Sequence, residues 1–220
     1  MPVAFLFDND GVLTDTSEFH WRAWEMLMER EPALKIDKNA FQATFGMRND
    51  LILQKVAPHV SKETHIEWTH QKEHIFREIA RGEVTLLPGM EHFLKQVAEA
   101  KIPHIIASST PTANLELLVS STALGKYFTE YLSAENVAHG KPAPDIFIAA
   151  ANHLGFKPDS CVVFEDAPAG LQAAKAAGCF AVALATTHHP NQLSLYDLIY
   201  PSARELDLQE ILNAFNLWST

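Results

Sequence analysis

The sequence contains little cysteine and little positive charge. Only two cysteines, Cys161 and Cys179, occur in 220 residues, and their apolar neighbours place them in the core rather than in a disulfide. Seventeen Lys and Arg stand against 27 Asp and Glu, for a formal net charge of −10. Such a chain does not attract a phosphate backbone over a wide surface. We therefore expect no nucleic acid as a partner, and any phosphate must be small and held by a few local groups.

Long hydrophobic runs and common nucleotide motifs are also absent. The first apolar stretch, residues 3–7, is broken by Asp8 and Asp10 and has neither a basic start nor a cleavage site. No run approaches the roughly 20 apolar residues of a membrane span. Walker, Gly-x-Gly-x-x-Gly and Gly-x-Ser-x-Gly patterns do not occur. A cytoplasmic protein with no membrane partner is expected.

Hydrophobic patterning divides the chain into two kinds of segment. Residues 3–7 are typical of a buried strand, whereas residues 17–80 show helical spacing and leave room for about four short helices. After Gly89, apolar runs alternate with helices of roughly ten to fifteen residues, which predicts a parallel sheet. The expected fold is α/β: a Rossmann-like parallel sheet core from residues 1–14 and 83–220, with a small all-helical cap, residues 15–82, inserted after the first strand.

Individual elements can be predicted within the second kind of segment. The predicted helices cover residues 90–100, 114–118, 144–154 and 169–177. The predicted strands cover residues 103–107, 131–132, 161–164 and 180–184. No element is predicted beyond residue 184.

Polar residues follow the carboxyl ends of four predicted strands, which is where ligands collect in open parallel sheets. They are Asp8 and Asp10, then Ser108, Ser109 and Thr110, then Gly140-Lys141-Pro142, and finally Glu165 and Asp166. Carboxylates, hydroxyls and a lysine suit a magnesium ion and a phosphoryl group. Two carboxylates ending a buried strand repel each other unless a cation is present, so a metal is expected at this edge.

These motifs resemble, in order and spacing, the four motifs of the haloacid dehalogenase superfamily, and most closely its β-phosphoglucomutase-like branch. The matching segments are Phe7-Asp8-Asn9-Asp10-Gly11-Val12, Ser108 after Ile105-Ile106-Ala107, Gly140-Lys141-Pro142-Ala143-Pro144-Asp145, and Glu165-Asp166 ahead of Gly170. The resemblance covers nearly the whole chain, and the helical segment falls where that branch carries its small cap.

The resemblance implies a role for each residue. Asp8 would be the nucleophile that forms an aspartyl-phosphate, and Asp10 would act as general acid and base while contributing only its backbone carbonyl to the metal. Asp8, Asp10, Glu165 and Asp166 would hold Mg²⁺. Ser108, Ser109 and Lys141 would bind the transferring phosphoryl oxygens.

Several of these residues also have an ordinary structural interpretation. The run from Ser108 to Pro111 is typical of a helix N-cap with proline in the first turn, and capping is compatible with phosphate binding. Lys141 could be a solvated turn residue. The Glu165-Asp166 pair could simply interact favourably with the positive N-terminal end of the dipole of the following helix.

Four residues of the cap segment are candidates for substrate contact. Thr16 and His20 are four residues apart, hence on one helical face, and the resemblance implies that they help the cap to close over the substrate. Arg48 occupies a position where the branch often has an arginine for a distal phosphate, a task that suits a guanidinium fork. Lys72 is a looser candidate for a similar contact.

Two features depart from simple patterns. Asn9 stands where the family usually has an apolar residue, and strand alternation predicts that it points away from Asp8 and Asp10. His65, His70 and His74 lack the glutamate placement of a zinc protease helix and are expected on a polar face.

The leading hypothesis is a magnesium-dependent phosphatase for a small phosphorylated metabolite, most naturally a sugar phosphate, acting as a monomer. The alternative is a β-phosphoglucomutase, which uses the same groups to convert β-glucose 1-phosphate to glucose 6-phosphate. A dehalogenase needs neither Asp10 nor magnesium, so Asp10 and Glu165-Asp166 argue against it. A catalytically silent module would be expected to have lost Asp8, Asp10 or Lys141, and all three are present.

Overall fold

The computed structural model describes residues 2–219 of the protein. The strands are β1 (Ala4–Phe7), β2 (His104–Ala107), β3 (Tyr131–Leu132), β4 (Cys161–Glu165), β5 (Phe180–Leu184) and β6 (Leu198–Tyr200). The α-helices are α1 (Ser17–Arg30), α2 (Lys38–Thr44), α3 (Asn49–Val56), α4 (Lys62–Ala80), α5 (Met90–Glu99), α6 (Thr112–Ser121), α7 (Asp145–His153), α8 (Pro168–Ala177) and α9 (Leu208–Trp218).

The strands form one parallel sheet in the order β3-β2-β1-β4-β5-β6. The predicted α/β fold with a parallel, Rossmann-like sheet is therefore confirmed, and the five predicted strands occur close to their predicted bounds. The sequence analysis missed β6 and α9. β6 is a three-residue edge strand that is only partly buried, too short to show a pattern.

Alternation along β1 builds a core on each face of the sheet. Phe5 and Phe7 pack on one face with residues of α5, α6 and α9. Ala4 and Leu6 pack on the other face with residues of α7 and α8. Both faces are covered, so every residue of β1, β4 and β5 is buried, which explains their continuous apolar runs. Both cysteines are buried and free, as expected.

Helices α1–α4 have an apolar cluster of their own, built around side chains such as Trp24, Phe41 and Phe76, and joined by Leu118 of α6. The predicted number of helices in this segment is confirmed. The prediction that all would be short is wrong, because α4 has 19 residues. The segment joins the sheet through two paired stretches of chain: Asp15 N donates to Thr85 O over 3.1 Å, and Leu87 N donates to Leu13 O over 3.0 Å.

None of the helices in residues 2–219 is both long enough and apolar enough to cross a lipid bilayer.

The aromatic cluster beside β1 should dominate the stability of the sheet. The ring of Phe93 on α5 lies 6.5 Å from that of Phe5, 6.4 Å from that of Phe7 and 5.4 Å from that of Phe164. We expect Phe93→Ala to lower the free energy of unfolding by about 3–5 kcal/mol through lost contacts and a cavity. Urea denaturation measures this effect. The exposed Lys95→Ala on the same helix should change it by less than about 0.5 kcal/mol.

Candidate active site

The winding of the sheet reverses at β1, because β2 and β3 lie on one side of it and β4 on the other. A crevice for ligands is expected outside the carboxyl ends of the strands at such a point. The structure brings the core-motif residues together there, all with exposures below a tenth: Asp8, Asp10, Ser108, Lys141, Glu165 and Asp166. The motifs predict one pocket lined by all six. Asp8, Asp10 and Ser108 line the cavity described below, whereas Lys141, Glu165 and Asp166 are grouped with Asp8 but are not among the residues that line it.

Lys141 is the cation at the centre of this group. Its Nζ donates to Asp8 Oδ1 over 2.8 Å and to Glu165 Oε1 over 2.5 Å, and the side chain is 1 % exposed. Burial acts to lower the pKa of Lys141, but the two carboxylates outweigh it and raise that pKa. Lys141 is therefore a buried residue paired with two carboxylates rather than a solvated turn residue.

The Glu165 carboxylate is shared between Lys141 and the backbone. Its second oxygen accepts the N–H groups of Asp166 over 3.0 Å and Ala167 over 3.1 Å. Gly170 lies against this carboxylate, and a Cβ at that position would overlap its atoms. Glycine is thus required there for close approach, which holds Glu165 in place from the helix side.

Three carboxylates form a cluster that could hold a metal ion. Asp8, Glu165 and Asp166 each offer an oxygen, and these oxygens lie within 4.8 Å of one another. Burial is the main cause that raises the pKa of Asp8 to about 7, with Glu165 and Asp10 adding to the shift and Lys141 opposing it. The pKa of Asp166 is also raised, by burial and then by Glu165 and Asp8.

The surroundings of Asp166 also fit a metal ligand. Among the described residues, its Oδ1 has no hydrogen-bond partner although it is fully buried, while Oδ2 accepts from the Thr187 hydroxyl. One ammonium does not balance three carboxylates. A divalent cation with oxygen preference fits both the excess charge and the vacant Oδ1.

The side chain of Asp10 lies outside this cluster and has its own partners. Its carboxylate accepts from Thr16 Oγ1 over 2.5 Å and from the Thr110 hydroxyl, and lies 3.4 Å from His20 Nε2. Burial acts to raise the pKa of Asp10, but His20 and the two hydroxyls outweigh it, so the pKa is lowered. The two aspartates thus occupy opposite electrostatic settings.

The expected orientation of Asn9 is wrong. Its Nδ2 donates to Asp10 Oδ1 over 2.9 Å, so the side chain points toward Asp10 rather than away from it. Strand alternation does not apply, because β1 ends at Phe7 and the chain then turns tightly. The carbonyl of Asn9 accepts from the backbone N–H of Leu13 and Thr14 in that turn.

The capping interpretation of Ser108 is also wrong. Helix α6 begins at Thr112 with Pro111 as its N-cap, and Ser108 Oγ instead accepts from Thr110 N over 3.2 Å. Ser109 is partly buried and lines the cavity described below. Thr110, which was predicted only as one of the hydroxyls at this strand end, accepts from the Ser108 hydroxyl and donates to the Asp10 carboxylate.

Thr16 and His20 both reach Asp10 because α1 begins directly after Thr16, which places the two side chains one turn apart. Lys72 was predicted to contact a phosphate, and in the structure its ammonium contacts His20 and Glu73. Its Nζ lies 2.6 Å from His20 Nδ1 and 2.8 Å from Glu73 Oε1, and the side chain is 2 % exposed.

Arg48 lies at the junction between α3 and the core. Its guanidinium forms a fork with Asp50, with distances of 3.1 and 3.2 Å, and lies 3.4 Å from Ala138 O. A distal phosphate would therefore have to compete with Asp50 for this side chain.

A cavity of 1040 Å³ opens over these groups. Residues of helices α1–α4 and residues of the sheet edge both line it. They include Asp8, Asp10, Ser108, Ser109, His20, Arg48 and Lys72. This volume is ample for a small metabolite.

The histidines of α4 were expected on a polar face. His70 and His74 are exposed. The prediction is wrong for His65, which is buried and has its Nε2 3.0 Å from Ala57 O.

Thr187 and His188 were missed by the sequence analysis, although they follow the carboxyl end of β5. Thr187 donates to Asp166 Oδ2, and His188 lies between two backbone carbonyls, 3.2 Å from Asp166 O and 3.1 Å from Gln42 O on α2. Applying the strand-end rule to the fifth strand would have found them.

Comparison with known proteins identifies the protein family to which the chain belongs. Residues 3–178 match the haloacid dehalogenase-like hydrolases, and the chain belongs to this family of enzymes. It is 32% identical to β-phosphoglucomutase of Bacillus subtilis over 188 residues, covering 81% of each chain. It is also 32% identical to hexitol phosphatase A of Escherichia coli over 208 residues, covering 92% of each.

A solved structure extends the match to nearly the whole chain. The β-phosphoglucomutase of Clostridium difficile superposes with a TM-score of 0.88 and 26% identity, covering 99% of both chains. The resemblance to the β-phosphoglucomutase-like branch is confirmed.

The acidic cluster should make stability depend jointly on a divalent cation and on pH. The pKa of Asp8 is raised from 3.8 to about 7, so protonation of Asp8 stabilises the metal-free fold at low pH, and this contribution is lost as pH rises toward 7. A cation needs the ionised cluster. We therefore expect Mg²⁺ to raise Tm more at pH 8 than at pH 5. At pH 8 and a hundredfold excess over Kd, the stabilisation should be about 2.7 kcal/mol.

Thermal unfolding with and without Mg²⁺ measures this effect. Asp166→Asn should remove most of the Mg²⁺-dependent rise, whereas Asp159→Asn, exposed at the opposite end of β4, should leave it intact. Equal Mg²⁺ effects in the two variants would contradict a metal site at the carboxyl edge.

Proposed function

We propose that this chain is a magnesium-dependent phosphatase that hydrolyses a small phosphorylated metabolite, with sugar phosphates as the favoured class, through an aspartyl-phosphate intermediate. The observation that carries the proposal is the pair Asp8 and Asp10, which share one end of a cavity but lie in opposite electrostatic settings. The phosphatase named among the relatives supports the substrate class.

Asp8 is the proposed nucleophile. Its Oδ1 is held 2.8 Å from Lys141 Nζ, so the carboxylate has a fixed direction. Lys141, Ser108 and Ser109 are proposed to bind the oxygens of the transferring phosphoryl group, where fixed donors stabilise developing charge. Covalent transfer to Asp8 divides one difficult displacement into two easier ones.

Asp10 is the proposed general acid and base. Thr16, Thr110 and His20 hold it as the anion, the form that accepts a proton from an attacking water. To protonate the leaving oxygen in the first half of the reaction, Asp10 must first take up a proton from solvent. Its separation from the acidic cluster leaves the side chain available for both tasks.

Mg²⁺ is the proposed cation, because it prefers hard oxygen ligands. Asp8, Glu165 and Asp166 would hold it, together with the backbone carbonyl of Asp10. When bound, it would neutralise charge on the cluster and on the transferring group.

We also propose that residues 15–82 form a cap over a core made of residues 1–14 and 83–220. The paired stretches at residues 13–15 and 85–87 are the proposed hinges. Closure would exclude bulk water from the cavity. The expectations of a monomer, a cytoplasmic location and no nucleic acid or membrane partner stay predictions.

A β-phosphoglucomutase is the second candidate, supported by the relatives that carry that name. Both reactions require the same phosphorylated Asp8. They differ in whether water or a second sugar hydroxyl reaches that group. Arg48 is the side chain that bears most directly on the choice, since it could orient a distal phosphate if Asp50 were displaced.

Replacing Asp8 by asparagine should abolish release of inorganic phosphate, because a carboxamide is not a nucleophile of this kind and Lys141 keeps a neutral partner. The measurement is phosphate release from sugar phosphates with Mg²⁺, with circular dichroism to verify folding. Asp159→Asn, an exposed acid at the opposite end of β4, should retain full activity. Undiminished turnover by the Asp8 variant would refute the covalent mechanism.

Products from a panel of phosphorylated metabolites should separate the two candidate reactions. We expect free phosphate from at least one sugar phosphate and no net conversion of β-glucose 1-phosphate to glucose 6-phosphate. Enzymatic assay of both products in the same reaction measures the ratio. Isomerisation without phosphate release would establish the mutase instead.

A further inference from the structure

Glu73 is a buried carboxylate on α4 that the proposed mechanism does not use. It is 5 % exposed, and three side chains donate to it: Lys72 Nζ over 2.8 Å and Asn49 Nδ2 over 2.5 Å to Oε1, and Asn114 Nδ2 over 2.5 Å to Oε2. The donors come from three helices, α3, α4 and α6. Each oxygen of Glu73 is therefore held by at least one donor that is distant in sequence, Asn49 for Oε1 and Asn114 for Oε2.

The donor from α6 is itself held in one orientation. Asn114 is fully buried, and its Oδ1 accepts from Arg77 Nη1 over 2.8 Å. An arginine can only donate, so the amide nitrogen of Asn114 must face Glu73. Helix α6 follows the loop that contains Ser108 and Thr110, so Glu73 is anchored to the same segment as those two residues.

Lys72 connects Glu73 to His20. Its Nζ lies 2.6 Å from His20 Nδ1 and 5.5 Å from the ring centres of Trp24 and Phe76. An ammonium has no acceptor lone pair, so His20 Nδ1 must accept. The ring proton of His20 is thereby assigned to Nε2.

The Nε2–H of His20 faces the proposed acid and base. It lies 3.4 Å from Asp10 Oδ1, and among the described residues it has no hydrogen bond of normal geometry. The ring is stacked on Phe76, with ring centres 4.1 Å apart, which limits its rotation. Hydrogen bonds of catalytic groups are often long without substrate and tighten on binding.

We propose that Glu73 is a positioning residue that fixes the tautomer of His20 through Lys72, so that His20 presents an N–H to Asp10. This inference rests on the proposed function only for the role of Asp10. The buried ion pair of Lys72 and Glu73 is by itself weak evidence for stability. Its proposed role comes instead from the series of contacts that runs from Glu73 through Lys72 and His20 to Asp10. Without the carboxylate, the Lys72 ammonium has no fixed anion and moves toward the open cavity, leaving His20 Nδ1 without its donor.

The test combines ¹⁵N spectra of the histidine rings with kinetics of phosphate release. In the wild-type chain we expect His20 to carry its proton on Nε2; a proton on Nδ1 would overturn the proposal outright. Glu73→Gln should populate both tautomers and lower kcat at least about tenfold, a part of the 10²–10⁴-fold that general acid–base catalysis contributes, with KM little changed.

Glu78→Gln is the matched control, since Glu78 lies on the same helix and its side chain is 59% exposed. It should alter neither the His20 spectrum nor kcat. A Glu73 variant that retains both the wild-type spectrum and kcat would refute the positioning role.

A double variant separates positioning from folding. Lys72→Met combined with Glu73→Gln leaves no unpaired buried charge, and it should lose no more activity than Lys72→Met alone, because Glu73 acts through Lys72. If the losses of activity in the two single variants added up in the double variant, Glu73 would not act through Lys72 and the proposal would be contradicted. If the wild-type protein released no phosphate from any substrate, the proposed function would fail, while the spectra would still decide the role of Glu73.

Discussion

Lys141 places an ammonium between Asp8 and Glu165, and all three side chains are almost completely buried. Four carboxylates, those of Asp8, Asp10, Glu165 and Asp166, lie at this end of the sheet and are buried. Removing charges from water is costly unless each is paired. Lys141 satisfies two of the acids, and His20 with two hydroxyls satisfies Asp10. The remaining negative charge, and the Asp166 oxygen that has no partner among the described residues, suit a cation that prefers oxygen ligands.

This concentration of charge lies at the ends of β1 and β4, whose other residues are apolar and buried. Phe7 and Phe164 are neighbours in register on β1 and β4, and their rings stack with centres 4.5 Å apart. Asp8 and Glu165 follow them directly, so the positions of the carboxylates are set by a rigid aromatic layer. The same arrangement gives the site its precision, since side chains at strand ends move less than side chains on loops.

The core of the site could be predicted from sequence because each residue depends on its own strand. An apolar run followed by Asp8, or by Glu165 and Asp166, already places the side chain at the carboxyl edge, whatever the rest of the chain does. Asn9 could not be predicted in the same way, because its direction depends on a turn rather than on strand alternation. The short edge strand β6 lacked enough residues to show a period.

Contacts between distant segments escaped prediction for a different reason. Asn114 and Glu73 are 41 residues apart, and each looks like an ordinary polar residue of an amphipathic helix. His65 was predicted on the wrong face because its Nε2 contacts the carbonyl of Ala57. The position of that carbonyl depends on how the chain leaves α3 before α4 begins. Such pairings depend on how α1–α4 pack together and lie against the core, which no local pattern describes.

The position of α1 and the charge of Asp10 must influence each other. Thr16 and His20 belong to the start of α1, and both contact the Asp10 carboxylate. These contacts stabilise the anion, so by linkage the anion stabilises α1 in its observed position. Moving α1 away would remove both groups and favour the protonated acid. Any movement of α1 relative to the sheet would therefore change the protonation equilibrium of Asp10, the residue proposed to exchange protons with the leaving oxygen and with water.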